Sequence, residues 1–302
     1  LAIDYRHTFK NGLHFGVTAS VADDKTEVTK WTYNTKIPSY GATGWWDKSA
    51  YKEGMVLGDI WGLQFDRFLT EDDFNADGSL KAGLPDQTKV FPAGYQFAPG
   101  DVLYKDLDNN GEIVKQTNTN DKGDLSVIGN ALPRLQFGLN LDAAWKGFDI
   151  SMFFQGVAKR KLWAAGNQVL PGFTTGEPFY KGAEDYWTPE NTDAFYPRPM
   201  DYKQSASGNY SVNDRYLLNM AYLRLKTFTV GYSLPKVWLS KFKVQGLRVY
   251  FTGENLFTID GVKPAIDPEI GIRTASGKSD QRNFGRSYPY QKTVSFGIQL
   301  SL

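Results

Sequence analysis

No cysteine occurs among the 302 residues, which removes disulfide frameworks, thiol catalysis and Cys-based zinc sites together. Histidine is nearly as scarce. His7 and His14 both lie near the start of the chain, which leaves little material for a multi-histidine metal site or a remote Ser/His/Asp triad. A charge of one sign is also missing: 34 Lys+Arg face 33 Asp+Glu, without the basic excess or stripe of a nucleic-acid binder. No run of 18 apolar residues exists and the mean hydropathy is -0.43, which excludes a bundle of membrane helices. The opening residues, Leu-Ala-Ile-Asp-Tyr-Arg-His, alternate from the outset and contain no signal peptide. A membrane β-barrel escapes these exclusions, because its strands alternate and average to modest hydropathy.

Aromatic residues are plentiful at 15%, with 17 Tyr, 20 Phe and 8 Trp. The clearest period lies in Leu135 to Trp145, where Leu135, Phe137, Leu139, Leu141 and Ala143 alternate with Gln136, Gly138, Asn140 and Asp142. Lys146-Gly147 then turns the chain, and Phe148, Ile150, Met152 and Phe154 resume the alternation as the second arm of a hairpin. Val294, Phe296, Ile298, Leu300 and Leu302 repeat the design at the end. So do Phe228, Val230, Tyr232 and Leu234, where a change of parity after Leu223 and Leu225 predicts a bulge near Lys226-Thr227. Leu247, Val249 and Phe251 form another strand. At the front, Leu1, Ile3, Tyr5 and Phe9 pair across Lys10-Asn11-Gly12 with Phe15, Val17, Ala19 and Val21.

Alternation alone fits a soluble sandwich as well as a membrane barrel. Three features favour the barrel: strands longer than the soluble average, aromatics near strand ends, and short turns alternating with very long connections. The reading is all-β, a transmembrane antiparallel barrel with nine strands at 1–9, 13–30, 55–68, 97–106, 134–145, 148–158, 217–234, 246–257 and 290–302. With the C-terminus periplasmic, the Lys146-Gly147 and Pro235–Gln245 turns are periplasmic. Residues 31–54, 107–133, 159–216 and 258–289 then form long extracellular loops. Strand 1–9 runs inward, so the whole chain, 1–302, reads as the C-terminal portion of a larger barrel, with early strands elsewhere. A soluble or surface β-sandwich, a carbohydrate-binding module or adhesin, is the alternative. A glycoside hydrolase finds no motif, and the protein is read as no enzyme.

Seven segments carry a family resemblance: Tyr51–Gly62, Pro99–Ile113, Ile128–Asn140, Trp145–Gly156, Tyr186-Trp-Thr-Pro-Glu-Asn191, Tyr222–Pro235 and Leu247–Phe257. In order and content they resemble the C-terminal part of SusC/RagA-type TonB-dependent transporters of Bacteroidetes. The resemblance implies a 22-stranded barrel plugged by an N-terminal domain that this chain lacks. It implies residence in a Gram-negative outer membrane among lipid and lipopolysaccharide, energy from TonB through the missing N-terminal part, and a SusD-like surface lipoprotein as lid. The implied cargo is a large polar nutrient, glycan or oligopeptide.

The long loops offer aromatic faces that suit stacking on sugar rings or peptide side chains, and Trp45, Trp46, Trp163, Tyr180 and Trp187 are the candidate ligand-binding residues. The competing role is to pin loops together. Asp106-x-Asp108-x-Asn110-Gly111-Glu112 matches the first half of an EF-hand calcium loop, which makes Asp106, Asp108, Asn110 and Glu112 candidate ligands for Ca2+. Thr117 stands where the bidentate Glu belongs, so an Asx-rich turn without metal stays open as well. No other cofactor is expected. Gly271–Ser279 resembles a phosphate loop but has five residues between its glycines where four are needed, and it is rejected. Asp72-Asp73 and Glu184-Asp185 read as solvated loop charges rather than glycosidase carboxylates.

Overall fold

The computed structural model describes all residues except 32–52, 116–122, 165, 167, 174–178, 201–207, 241–243, 264–265, 270–287 and 302. In chain order its strands are β1 (Ala2–Thr8), β2 (His14–Ala22), β3 (Asp59–Gly62), β4 (Phe65–Phe68), β5 (Val102–Tyr104), β6 (Ser126–Asn130), β7 (Arg134–Trp145) and β8 (Phe148–Lys159). There follow β9 (Lys161–Leu162), β10 (Leu218–Asn219), β11 (Tyr222–Ser233), β12 (Gly246–Glu254), β13 (Thr258–Asp260) and β14 (Thr293–Ser301). Among the described residues no helix is long and apolar enough to cross a membrane, which says nothing of strands.

Seven strands make one antiparallel sheet in the order β1-β2-β7-β8-β11-β12-β14, with β13 added to the outer end of β11. The register is the consequence of the period. One row crosses all seven strands as His7, Phe15, Ala143, Ile150, Val230, Phe251 and Phe296. The next row, on the opposite face, reads Arg6, Gly16, Asp142, Ser151, Thr229, Thr252 and Ser295. Side chains alternate between faces, so the sheet is apolar on one side and polar on the other. The parity change in β11 is absorbed as expected: its pairing with β8 shifts register between Leu225 and Thr227.

The apolar face lies open. Phe296 is 82% and Ile298 73% exposed, and Ile3, Tyr5 and Phe148 are exposed beside them. The Lys146-Gly147 turn holds both residues at positive φ (48° and 88°), the geometry of a two-residue hairpin whose twist matches its strands. On the polar face, Gly231 gives Arg248 room: a Cβ there would lie 2.5 Å from its guanidinium. Arg248 thereby crosses β11 to reach Asp149 on β8, with Nε donating to Oδ1 at 3.0 Å.

The strand count differs from expectation. β2 pairs directly with β7, so residues 55–68 and 97–106 are not strands of the large sheet. They supply β3, β4 and β5, which form two small sheets, β3 with β6 and β4 with β5. Because the two misassigned segments were a consecutive up-and-down pair, removing both leaves the direction of every other long strand unchanged. The connection between β2 and β7 becomes one long insertion, 23–133.

Candidate functional site

Three long connections leave the strands of the sheet at the same end: 23–133, 160–221 and 255–292. The first two bury two apolar clusters of their own. One gathers Ile60, Leu162, Trp163, Leu170, Tyr196, Tyr216 and Met220; the other Leu63, Phe68, Val102, Tyr104, Ile113 and Trp187. Polar groups lock the connections to each other. Asp101 is fully buried and accepts from Arg198 Nε (2.8 Å), Tyr95 Oη (2.9 Å) and Asn209 Nδ2 (2.9 Å). The guanidinium of Arg215 lies over the rings of Phe65 and Phe68 and donates to the carbonyls of Ala194 and Phe195. Asp73 is buried, not solvated as expected. It receives both terminal nitrogens of Arg67 (2.5 and 2.7 Å) and the Thr70 amide, and its carboxyl is held down at about 2 by the Arg67 hydrogen bonds first.

The third connection is tied to the outer end of β11. Arg224, 4% exposed at its side chain, donates to Asp267 (2.7 Å) and Glu269 (2.5 Å). Glu269 also accepts from Tyr222 Oη (2.8 Å) and Lys226 Nζ (3.0 Å), and Asp267 from the Tyr290 amide. Nothing in the local sequence marked this cluster, because Asp267 and Glu269 lie more than forty residues from Arg224 in the chain.

The aromatic candidates part company. Trp163 is 3% and Trp187 7% exposed, each in one of the two clusters, so both serve the loop core. Trp187 lies against Gly100 (φ +88°), where a Cβ would come within 2.5 Å of the ring. Tyr180 is 38% exposed and lines a pocket of about 600 Å³. Phe179, Tyr186, Tyr196 and Tyr210 complete its aromatic lining, while Pro171, Pro197 and Pro199 form further wall and Lys181 and Glu184 supply charge. Trp45, Trp46 and the Gly271–Ser279 loop lie outside the described residues.

The acidic turn is rearranged relative to the calcium-loop expectation. Asp106 accepts from the Asn110 and Gly111 amides, and Asp108 from the Asn110 amide. Glu112 turns away to pair with Lys89, and Asn110 Oδ1 is taken by the Glu112 amide. The third carboxylate is Asp124, fully buried, and ligand oxygens of Asp106, Asp108 and Asp124 lie within 4.8 Å of one another. Desolvation raises Asp106, but the Gly111, Asn109 and Asn110 amides outweigh it and hold its carboxyl below the usual range. Asp108 is raised, by desolvation first and then by the facing Asp124 and Asp106. Three hard oxygen donors converging in this way fit a calcium ion. Asp124 escaped the sequence reading because it lies well beyond the twelve-residue loop frame.

No family model matches the chain. It is 29% identical over 258 residues to TonB-dependent receptor P3 of Formosa agariphila, covering 82% of this chain and 22% of that protein. TonB-dependent receptor P26 of the same organism is 32% identical over 200 residues (64% and 19%). TonB-dependent receptor SusC of Bacteroides thetaiotaomicron is 25% identical over 242 residues (77% and 22%). The chain thus spans about a fifth of the length of the curated relatives it matches. In three dimensions it superposes on the RagAB peptide transporter with a TM-score of 0.65 at 18% identity, over 99% of this chain and 28% of that one. The RagAB importer in its open-open state gives 0.62. These relatives are receptors and transporters, not enzymes. The chain is thus similar to one stretch of these TonB-dependent receptors, and its long antiparallel sheet has the fold of a portion of the RagAB transporter.

Proposed function

We propose that residues 1–302 are the C-terminal segment of an outer-membrane importer of a Bacteroidetes-like, Gram-negative cell. It is driven by TonB through a plug domain on another part of the protein, and it takes up a glycan or oligopeptide under a SusD-like lipoprotein lid. The observation that carries this reading is the continuous apolar face of the seven-strand sheet, open to its surroundings, beneath a loop body with an aromatic pocket. In a soluble sandwich a second sheet would cover that face; among the described residues nothing covers Phe296 or Ile298. The outer edges of β1 and β14 carry ladder groups without strand partners among the described residues. In hydrocarbon such groups cost several kcal/mol each, so neighbouring barrel strands complete them. Calcium bound by Asp106, Asp108 and Asp124 would stiffen the outer insertion.

Fractionating source cells tests the reading. The protein should appear in the detergent-extracted outer membrane, in a complex with a surface lipoprotein, and its uptake activity should vanish without TonB. A monodisperse soluble protein in the aqueous fraction would refute it.

A further inference from the structure

The pocket at Tyr180 has chemistry that separates the two cargo classes, and the inference drawn from it rests on the importer reading above. Its back wall is fixed. Arg198, between Pro197 and Pro199, is held by the buried Asp101, and its own amide donates to the Gly100 carbonyl at 3.1 Å. Tyr196 donates from Oη to the Val169 carbonyl at 3.0 Å. The front is lined by exposed rings, Phe179 (59%) and Tyr180 (38%). Pocket polarity is sparse and uncommitted. Lys181 and Glu184 line the pocket, and neither forms an ion pair among the described residues. Tyr210, 4% exposed, lines it too.

We propose that this pocket binds an oligopeptide by an apolar side chain, held between the Phe179 and Tyr180 rings and the proline wall. Tyr210 donates to a peptide carbonyl, Lys181 meets a carboxylate and Glu184 an ammonium group of the same peptide. A volume of about 600 Å³ is in the range of pockets that enclose a small ligand. A sugar could stack its C–H face on these rings, but its rim of hydroxyls would then meet proline carbon and few polar atoms. Buried hydroxyls without partners weaken binding. An apolar side chain leaves no such debt, and the two unpaired charges of opposite sign complement a zwitterionic chain.

The test is calorimetric titration of the intact receptor complex, purified in detergent, with the pentapeptides Ala-Ala-Phe-Ala-Ala and Ala-Ala-Ser-Ala-Ala and with maltohexaose. The Phe peptide should bind at least about tenfold tighter than the Ser peptide, and maltohexaose should not compete. Tyr180→Ala, at an exposed position, should weaken the Phe peptide about tenfold. Lys181→Ala with Glu184→Ala should weaken the free peptide but leave its N-acetylated, C-amidated form unchanged. Equal binding of the two peptides, displacement by maltohexaose, or peptide binding insensitive to both variants overturns the inference. Outer-membrane location and TonB-dependent uptake would stand regardless, so the two readings fail separately. A pocket that accepts peptide only after the lid protein is removed would equally overturn it, as the seat of the lid.

Discussion

Replacing Leu139 by Arg isolates the barrel claim at one side chain. Leu139 lies mid-strand in β7 on the apolar face, opposite Ala19 of β2 and Phe154 of β8. A guanidinium there projects into hydrocarbon near the midplane, and such a substitution costs about 2–4 kcal/mol. At about 1.4 kcal/mol per tenfold, the folding equilibrium should move by roughly thirty- to several-hundred-fold. Its neighbour Asn140 faces the other way, opposite Thr18, which itself opposes Asp4 and donates to Asp4 Oδ1 at 3.1 Å. An Arg at 140 enters a polar lumen with a carboxylate in the same row, so its cost should be close to nil. The assay is reversible denaturant unfolding of the intact barrel in lipid vesicles, followed by the mobility shift between folded and unfolded forms in gels. Equal losses at 139 and 140 would refute the assignment of faces. A larger loss at 140 would invert it.

Further outcomes follow from the loop body. If calcium fills the acidic turn, millimolar Ca2+ should raise the melting midpoint of the outer insertion, and Asp108→Ala or Asp124→Ala should abolish the rise; no shift in the wild type would leave a hydrogen-bonded turn without metal. Arg224→Met strands Asp267 and Glu269 without their buried partner, at about 3–5 kcal/mol, and should open the chain at Asp267 and Glu269 to protease while the barrel stays heat-modifiable. The Asp73 carboxyl, depressed to about 2 in the folded state, binds fewer protons there than in the unfolded chain. Its stabilisation is complete above about pH 4 and is lost as pH falls towards about 2. Asp73→Asn should therefore destabilise the insertion at pH 7, and the wild-type-minus-variant melting difference should shrink below about pH 4 and vanish only below about pH 2.

The alternation in β7, β8, β11, β12 and β14 was set by the sequence because each residue's face depends only on its own parity. The Lys146-Gly147 hairpin and the bulge at Lys226 were equally local, fixed by a positive-φ pair and by a change of phase. Pairing is not local. Residues 55–68 and 97–106 alternate well enough to pass for barrel strands, yet in the loop body β4 pairs with β5 and β3 with β6, since parity says nothing about which strand supplies the hydrogen bonds. The same limit governs the site. Trp163 and Tyr180 look alike as loop aromatics, but one is buried among Leu170 and Tyr196 and the other borders a pocket, because burial is decided by what the other connection brings alongside. Asp124 joins Asp106 and Asp108, and Asp267 and Glu269 join Arg224, across gaps in the chain that no motif spacing spans. Tertiary packing alone set those distances, and with them the chemistry of the outer face.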